Sequence, residues 1–123
     1  MDQQSDVVVT AHKGVNLLEL PVDGPVLASE QDAVDLVGLT YGTDFGFVVV
    51  PTERLDPRFF DLSSRLAGAF FQKMQNYGLR LVILGDISKW VSESKSLRDF
   101  VGETNRIGNH LFVPDREALL ARL

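Results

Sequence analysis

Two short apolar runs constrain the fold of this chain more than any other feature of its sequence. Residues 45–50 (FGFVVV) lie between Asp44 and Pro51, and residues 81–84 (LVIL) are closed by Gly85. Short continuous apolar runs bounded by turn residues are typical of strands that are buried on both faces. The sequence therefore predicts two central strands that lie side by side and point the same way, with helices covering both surfaces.

Apolar residues at helical spacing predict helices in the segments around these two runs. Asp56-Pro57 is a typical helix start, and an apolar stripe at helical spacing then continues to Tyr77, so we expect one helix over residues 57–77 that Gly78 ends. Ser94 or Ser96 is expected to cap a helix that ends at Gly108. Asp115 is expected to cap a short final helix. An earlier helix capped by Ser29 is predicted to bury Ala33, Val34, Val37 and Tyr41.

The remaining strands complete an α/β architecture. Residues 6–13 and 15–20 predict an antiparallel hairpin, and residues 111–113 predict a short last strand. We expect a single mixed five-stranded sheet with an antiparallel N-terminal hairpin, then parallel β-α units, with helices on the sheet faces. Residues 1–5 are expected to form a flexible tail, and residues 6–123 a single domain.

Composition excludes several classes of function. The chain has no cysteine, which rules out disulfides, thiolate metal sites and cysteine nucleophiles. Its formal net charge of −5 argues against a nucleic-acid partner. No apolar run is long enough to cross a bilayer, and the N-terminus lacks a secretory signal. We expect a cytoplasmic protein with no membrane partner and no cofactor.

Polar residues after the predicted strands form one candidate site. Ligands of open parallel sheets tend to bind outside the carboxyl ends of the strands. A small molecule or anion could bind there, beside a helix N-terminus. The alternative is that these residues only end strands and cap helices. The candidate ligand-binding residues are Asp86, Ser88, Ser96, Asp99 and Glu103.

Three other residues have candidate roles. Ser63 and Ser64 are candidate phosphoacceptors, although a helix that begins at Pro57 places both inside it and puts Ser63 on its apolar stripe. Trp90 is a candidate interface residue, or alternatively a side chain that folds back onto the core. No catalytic or metal-binding residue is predicted, because His12 and His110 lack partners at metal-ligand spacing.

An ordered string of short motifs runs through the second half of the sequence. It consists of Phe59-Phe60-Asp61-Leu62, Leu66-Ala67-Gly68, Gln72-Lys73, Asn76-Tyr77, Gly85-Asp86 with Ser88, Ser96-Leu97 with Asp99-Phe100, and Glu103 with Asn105. This string resembles the bacterial family called domain of unknown function 4180, and the resemblance extends over nearly the whole chain. It implies membership of that family without implying an activity.

A second resemblance is to the STAS domains of bacterial anti-sigma-factor antagonists. It rests on residues 48–50 (VVV), 61–64 (DLSS) and 78–83 (GLRLVI). STAS domains have an Asp-Ser-Ser/Thr-Gly-like segment that opens a helix after a buried strand. In this chain Leu62 interrupts that segment and Arg65 stands in the place of its glycine. The resemblance implies STAS-like architecture and a phosphoacceptor role for Ser63 or Ser64.

Because catalytic signatures are sparse, we expect a non-enzymatic regulatory or protein-interaction module. Its partner would be an unidentified protein or a second copy of the chain. The alternative is a small-molecule or anion-binding protein, or an enzyme, that uses the polar residues at the strand ends. An enclosed cavity with converging polar groups would favour that alternative. A flat surface on which these polar residues bond only to their own neighbours would favour the interaction module.

Overall fold

The structure, a computed structural model, describes residues 7–123. The predicted tail of residues 1–5, and Asp6 at the start of the first predicted strand, lie outside the described residues. Five strands form one sheet in the order in which they occur along the chain. They are β1 (Val8–His12), β2 (Val15–Glu19), β3 (Phe47–Pro51), β4 (Arg80–Leu84) and β5 (Leu111–Val113).

The pairing of these strands confirms the predicted fold class. β1 and β2 are antiparallel and are joined by the tight turn Lys13-Gly14, in which both residues have positive φ. β2, β3, β4 and β5 then pair in parallel, each with the next strand along the chain. β3 is the central strand, and β3 and β4 lie side by side in the same direction, as the two apolar runs predict.

Five α-helices accompany the sheet. Ser29 caps α1, with the side chain of Asp32 bonding back to the cap, Ser94 caps α4, and Asp115 caps α5. Within residues 7–123, none of the helices is both long and apolar enough to span a bilayer. The helices are α1 (Glu30–Gly38), α2 (Leu66–Asn76), α3 (Ser88–Glu93), α4 (Lys95–Ile107) and α5 (Arg116–Ala121).

The two faces of the sheet are covered unequally. Strand side chains alternate between the faces. On the first face, which we call the helix-rich face, Leu18, Val48, Leu81 and Phe112 pack with residues of α1, α2 and α4. On the second, which we call the α5 face, the strands pack against Leu119 of α5. The α5-face cluster comprises Leu17, Phe47, Val49, Val82, Leu111, Val113 and Leu119.

The single helix predicted over residues 57–77 is wrong in its first half. Residues 57–60 and 62–64 form two short 3₁₀ turns, and the α-helix begins only at Leu66. Asp56 and Asp61 each cap one of these turns, and Arg65 has φ +66. That left-handed residue interrupts the right-handed helix immediately before α2.

Two smaller expectations about the helices are also wrong. Val34 and Tyr41 were expected in the core, but both are exposed, and the buried residues of α1 are Ala33, Leu36 and Val37. No helix was predicted for the segment around Trp90, whereas it forms the separate short helix α3.

Arg54 anchors the loop between β2 and α1. Its side chain is only 7% exposed, and its guanidinium donates hydrogen bonds to the carbonyl oxygens of Pro25 (2.8 Å), Pro21 (3.0 Å) and Asp23 (3.3 Å). Gly24 lies against this group with φ +144, and a Cβ there would be 2.7 Å from the Arg54 Cζ. The loop therefore requires both the buried cation and the glycine.

Candidate functional site

Because β3, β4 and β5 are parallel, their carboxyl ends lie at the same end of the sheet. Asp86 follows β4 there, and its Oδ1 accepts a hydrogen bond from the Ser88 N–H at 2.9 Å. That backbone bond, with a second bond from the Ser88 side chain, lowers the pKa of the Asp86 carboxyl. These two predicted site residues are thus brought together, and their contact forms the start of α3.

The other three predicted ligand-binding residues lie along α4. Ser96, Asp99 and Glu103 are exposed, and their spacing places them on one side of the helix. From Ser96 to Glu103 the helix rises by roughly 10 Å. The Asp99 Oδ2 is 2.8 Å from the Lys95 Nζ. The Glu103 Oε2 accepts from the Arg106 Nε at 3.1 Å, and Arg106 lowers the pKa of the Glu103 carboxyl.

These contacts indicate capping and surface pairing more than acid–base chemistry. A general acid at neutral pH requires a raised carboxyl pKa, whereas the pKa values of Asp86 and Glu103 are lowered. The strand order also runs without a reversal. Such a reversal is what opens the ligand-binding crevice of doubly wound sheets. Within residues 7–123 there is no group of three or more metal-ligating side chains.

Ser63 and Ser64 lie in the second 3₁₀ turn, directly before α2, and both are exposed. The expectation that Ser63 packs on an apolar stripe is therefore wrong. The Ser63 hydroxyl donates to the Asp61 Oδ1 at 2.6 Å, and the Ser64 Oγ accepts from the Leu66 N–H at 3.2 Å. Arg65, at the position of the glycine in the STAS segment, has the left-handed conformation that glycine adopts most readily.

An open cavity of about 270 Å³ lies beside this turn, between the N-terminal ends of α1 and α2. Arg58 and Arg65 give it positive charge, and Glu30 gives it negative charge. Part of the Arg58 charge is already engaged, because its Nε is 3.1 Å from the Asp56 Oδ1. The cavity is lined by Ala28, Glu30, Arg58, Ser64, Arg65, Leu66 and Ala69. None of the five ligand-binding residues predicted from the sequence is among them.

The Trp90 ring contacts both an aromatic ring and an ammonium group. One face stacks on the Phe60 ring, with centroids 4.1 Å apart and planes 13° from parallel. The Lys89 Nζ lies 4.9 Å from the ring centroid. Trp90 is partly buried and packs against the core of the helix-rich face. This contact packs α3 against the 3₁₀ turn that contains Phe60. The role of Trp90 as an interface residue stays a prediction.

His110 lies beside the start of β5 and is half-buried. Its Nδ1 accepts a hydrogen bond from the Leu81 N–H at 2.9 Å, so the proton of the neutral ring is on Nε2, which lies 3.0 Å from the Gln75 Oε1. Burial, together with the nearby positive charge of Arg80, lowers the pKa of the imidazole. This histidine is a structural part of the β4–β5 pairing.

One edge of the sheet is sealed by a side chain. The Asn105 Oδ1 accepts from the Phe112 N–H at 2.8 Å, and the Asn105 Nδ2 donates to the Phe112 carbonyl oxygen at 3.0 Å. The side-chain amide thus takes the place of a neighbouring strand at β5. Sequence reasoning did not assign this role, because nothing in the spacing of Asn105 and Phe112 indicates it.

The opposite edge, at β1, is open in the part of the chain that the structure describes. Val8 and Val9 are 50% and 58% exposed. Residues 8–11 (VVTA) carry no charge and no proline, which are the usual means of protecting an edge strand. Sequence reasoning predicted the hairpin but did not identify which of its strands would be the edge.

Comparison with known proteins identifies a family. The family model described as a domain of unknown function (DUF4180) matches residues 12–123, which extend from the end of β1 through α5. No curated protein matches the chain in sequence. No solved structure matches it. Because the matched segment covers far more than half of the sequence, the chain belongs to the DUF4180 family of domains of unknown function.

Proposed function

We propose that this chain is a non-enzymatic regulatory module that acts by contact with another polypeptide chain, either a different protein or a second copy of itself. The observation that carries the proposal is the difference between the two edges of the sheet. Asn105 seals β5, whereas β1 presents exposed Val8 and Val9. An open, uncharged edge strand is a template for pairing with another strand.

The polar residues at the strand ends and along α4 support the same proposal. Asp86 accepts a hydrogen bond from the Ser88 N–H at the start of α3, Asp99 pairs with Lys95, and Glu103 pairs with Arg106. Each carboxylate is therefore engaged by a residue two to four positions away in the sequence instead of converging with the others on a shared space. Polar residues that bond only to their own neighbours favour an interaction module over a catalytic site.

Site-specific photo-crosslinking in cells tests the proposal. A photoreactive amino acid at Ala11, on the open edge, should crosslink to a second polypeptide. The matched control is the same residue at Val22, which is 55% exposed in the loop after β2. The products are resolved by mass after affinity purification. A yield at Ala11 no higher than the yield at Val22 would contradict the proposal.

Regulation of this module is proposed at the turn before α2. Ser63 is exposed, and its hydroxyl is bonded to the Asp61 carboxylate. A phosphate there would repel that carboxylate and change the shape of the turn. The STAS-like placement of Ser63 and Ser64 before α2 supports this part of the proposal. Mass spectrometry of the native protein, across growth conditions, tests it; a serine that is never phosphorylated argues against it.

Anion binding is the second candidate function, and the cavity between α1 and α2 favours it. Arg58 and Arg65 line that cavity beside the N-terminus of α2, where helix N–H groups attract anions. Titration with inorganic phosphate, followed by amide chemical shifts, should move residues around Arg65 in the native chain and not in the Arg65→Gln variant. Equal shifts in both chains would exclude this cavity as the site.

We also propose that the protein resides in the bacterial cytoplasm. The proposal rests on the absence of cysteine and therefore of disulfides, because disulfides are common in oxidising compartments and rare in reducing ones. Fractionation of cells that produce the native protein tests it, since recovery mainly with the membranes or in the periplasm would contradict it.

A further inference from the structure

We propose that the chain forms a two-fold dimer in which β1 of one copy pairs antiparallel with β1 of a second copy, with the Thr10 residues opposite each other. The proposal rests on the proposed interaction function and specifies its partner. It follows from the direction of the backbone groups of β1, from the chemistry of that strand and from the sealed edge at β5.

The backbone of β1 presents hydrogen-bonding groups on its outer side. In β2, the Asn16 carbonyl oxygen accepts from the Gly46 N–H (2.8 Å) and the Leu20 N–H donates to the Val49 carbonyl oxygen (3.0 Å), so the even-numbered residues of β2 face β3. The odd-numbered residues therefore face β1, where they pair with Val8, Thr10 and His12.

The intervening residues of β1 must then face outward. These are Val9 and Ala11, whose two N–H and two C=O groups point away from β2. Among the described residues, none bonds to these four groups. They are spaced as the ladder of an antiparallel pair requires.

Only one register pairs every residue of the strand. Pairing Val8 with His12 of the second copy aligns all five residues of both strands. Val9 then lies opposite Ala11, and Thr10 lies opposite Thr10 of the second copy. In this register Val9 and Ala11 exchange four hydrogen bonds across the two-fold axis, and a large side chain meets a small one. The smallest shift that keeps the outward groups facing each other is two residues. It leaves either Val9 or Ala11 of each strand without a hydrogen-bonding partner inside β1.

The chemistry of β1 suits a second copy of itself. Residues 8–11 carry no charge, so the symmetric pairing brings no like charges together along the strand. The number of open edges also limits the assembly. Because Asn105 occupies the outer edge of β5, residues 7–123 of each chain offer one open edge, and association closes at two copies instead of extending into a filament.

Disulfide trapping tests the register directly, since the natural chain has no cysteine. Facing residues of a non-hydrogen-bonded antiparallel pair have Cα atoms about 4.5 Å apart, within the range that a disulfide spans. Under mild oxidation the full-length Thr10→Cys chain should form a covalent dimer at least about tenfold faster than the Val22→Cys chain, because pairing raises the effective thiol concentration. Adding Val9→Pro, which removes an outward N–H and keeps the inward ladder, should abolish that advantage.

Sedimentation of the unmodified chain provides an independent readout. It should show a concentration-dependent approach to twice the mass of one chain. A Thr10→Cys chain that crosslinks no faster than the Val22→Cys chain overturns the proposed pairing. If photo-crosslinking at Ala11 nevertheless captures a different protein, the interaction function stands and self-pairing is wrong; if it captures nothing, both are wrong. Faster trapping by Val9→Cys or Ala11→Cys than by Thr10→Cys overturns the register.

Discussion

At the scale of single residues, Arg54 is a buried cation that donates hydrogen bonds to carbonyl oxygens of one loop. Its Nε and Nη1 groups hold Pro21, Asp23 and Pro25 in place. A flexible ammonium would not reproduce this arrangement, because only a guanidinium presents several donors in a fixed plane. No role was assigned to Arg54 from the sequence. Its burial could not be predicted, since it depends on where the distant loop folds.

Replacing Arg54 should therefore destabilise the fold strongly. Arg54→Met keeps the apolar stem and leaves the loop carbonyls without their donor, which we expect to cost about 2–4 kcal/mol of unfolding free energy. Arg54→Lys should recover only part of that loss. Urea unfolding measures both. The exposed Arg58 is the matched control, and Arg58→Met should cost less than about 1 kcal/mol. Equal losses for the two methionine variants would show that Arg54 is not a structural anchor.

His110 should make stability depend on pH in a defined window. Burial and Arg80 lower its folded-state pKa, so the unfolded chain takes up the proton first as the pH falls below about 6.5. Stability is thus present above that pH and is lost as the pH falls towards the folded-state pKa. Urea midpoints from about pH 8 to about pH 5 should fall for the native chain and for a His12→Gln control, and much less for His110→Gln. An unchanged slope in His110→Gln would contradict this assignment.

At the scale of elements, the sequence predicts the strands well and one helix poorly. Apolar runs identify β3 and β4, and the caps at Ser29 and Asp115 mark the true starts of α1 and α5. Over residues 57–64 the prediction fails for a physical reason. A 3₁₀ turn has three residues per turn, which is close enough to helical spacing to continue the same apolar stripe. Only the left-handed Arg65 separates the turns from α2.

The candidate site was also only partly predictable from the sequence, because spacing along the chain reports local contacts and not tertiary ones. Residues adjacent in sequence, such as Asp86 and Ser88, are in contact as expected. Ser96, Asp99 and Glu103 share one face of α4, which periodicity also indicates. Their distance from the strand ends depends on the direction of α4 across the sheet. The sealed edge at β5 and the cavity beside Arg65 depend on tertiary contacts that spacing alone does not encode.

The sealing of β5 by Asn105 is testable as an element-scale device. Asn105→Ala removes both hydrogen bonds to Phe112 and should cost about 1–3 kcal/mol, with faster hydrogen exchange of the Phe112 amide. Asn105→Asp keeps the acceptor and loses the donor, so its exchange rate should be intermediate. Asn76→Ala, in an exposed amide pair on α2, is the control and should change stability by about 0.5 kcal/mol or less. Unchanged exchange at Phe112 in Asn105→Ala would rule out the capping role.

At the scale of the whole molecule, α5 is the one helix of the described residues that packs on the α5 face of the sheet. α5 has six residues, and Leu119 is 0% exposed against Leu17, Phe47 and Val82. Ion pairing between Arg116 and Glu19 connects its first turn to β2. Integrity of the α5 face therefore depends on a few contacts of α5, whereas α1, α2, α3 and α4 all contribute side chains to the helix-rich face.

Leu119→Ala should consequently be among the most damaging single substitutions. Truncating a fully buried leucine costs about 2–5 kcal/mol. The half-buried Leu120 is its neighbour and control, and Leu120→Ala should cost clearly less. Urea unfolding gives the free energies, and binding of a hydrophobic dye reports exposure of the α5 face. Similar losses for both variants would indicate that α5 is held by its helix as a whole and not by Leu119.

The agreement between strand order and chain order has a consequence for how the protein is made. Each parallel strand docks beside the one synthesised just before it, so every new β-α unit finds its template already present as it leaves the ribosome. No strand has to wait for a later one to be inserted beside it. The helix α5 follows all five strands in the sequence, so the apolar side that it covers stays uncovered in the nascent chain until α5 itself has been made.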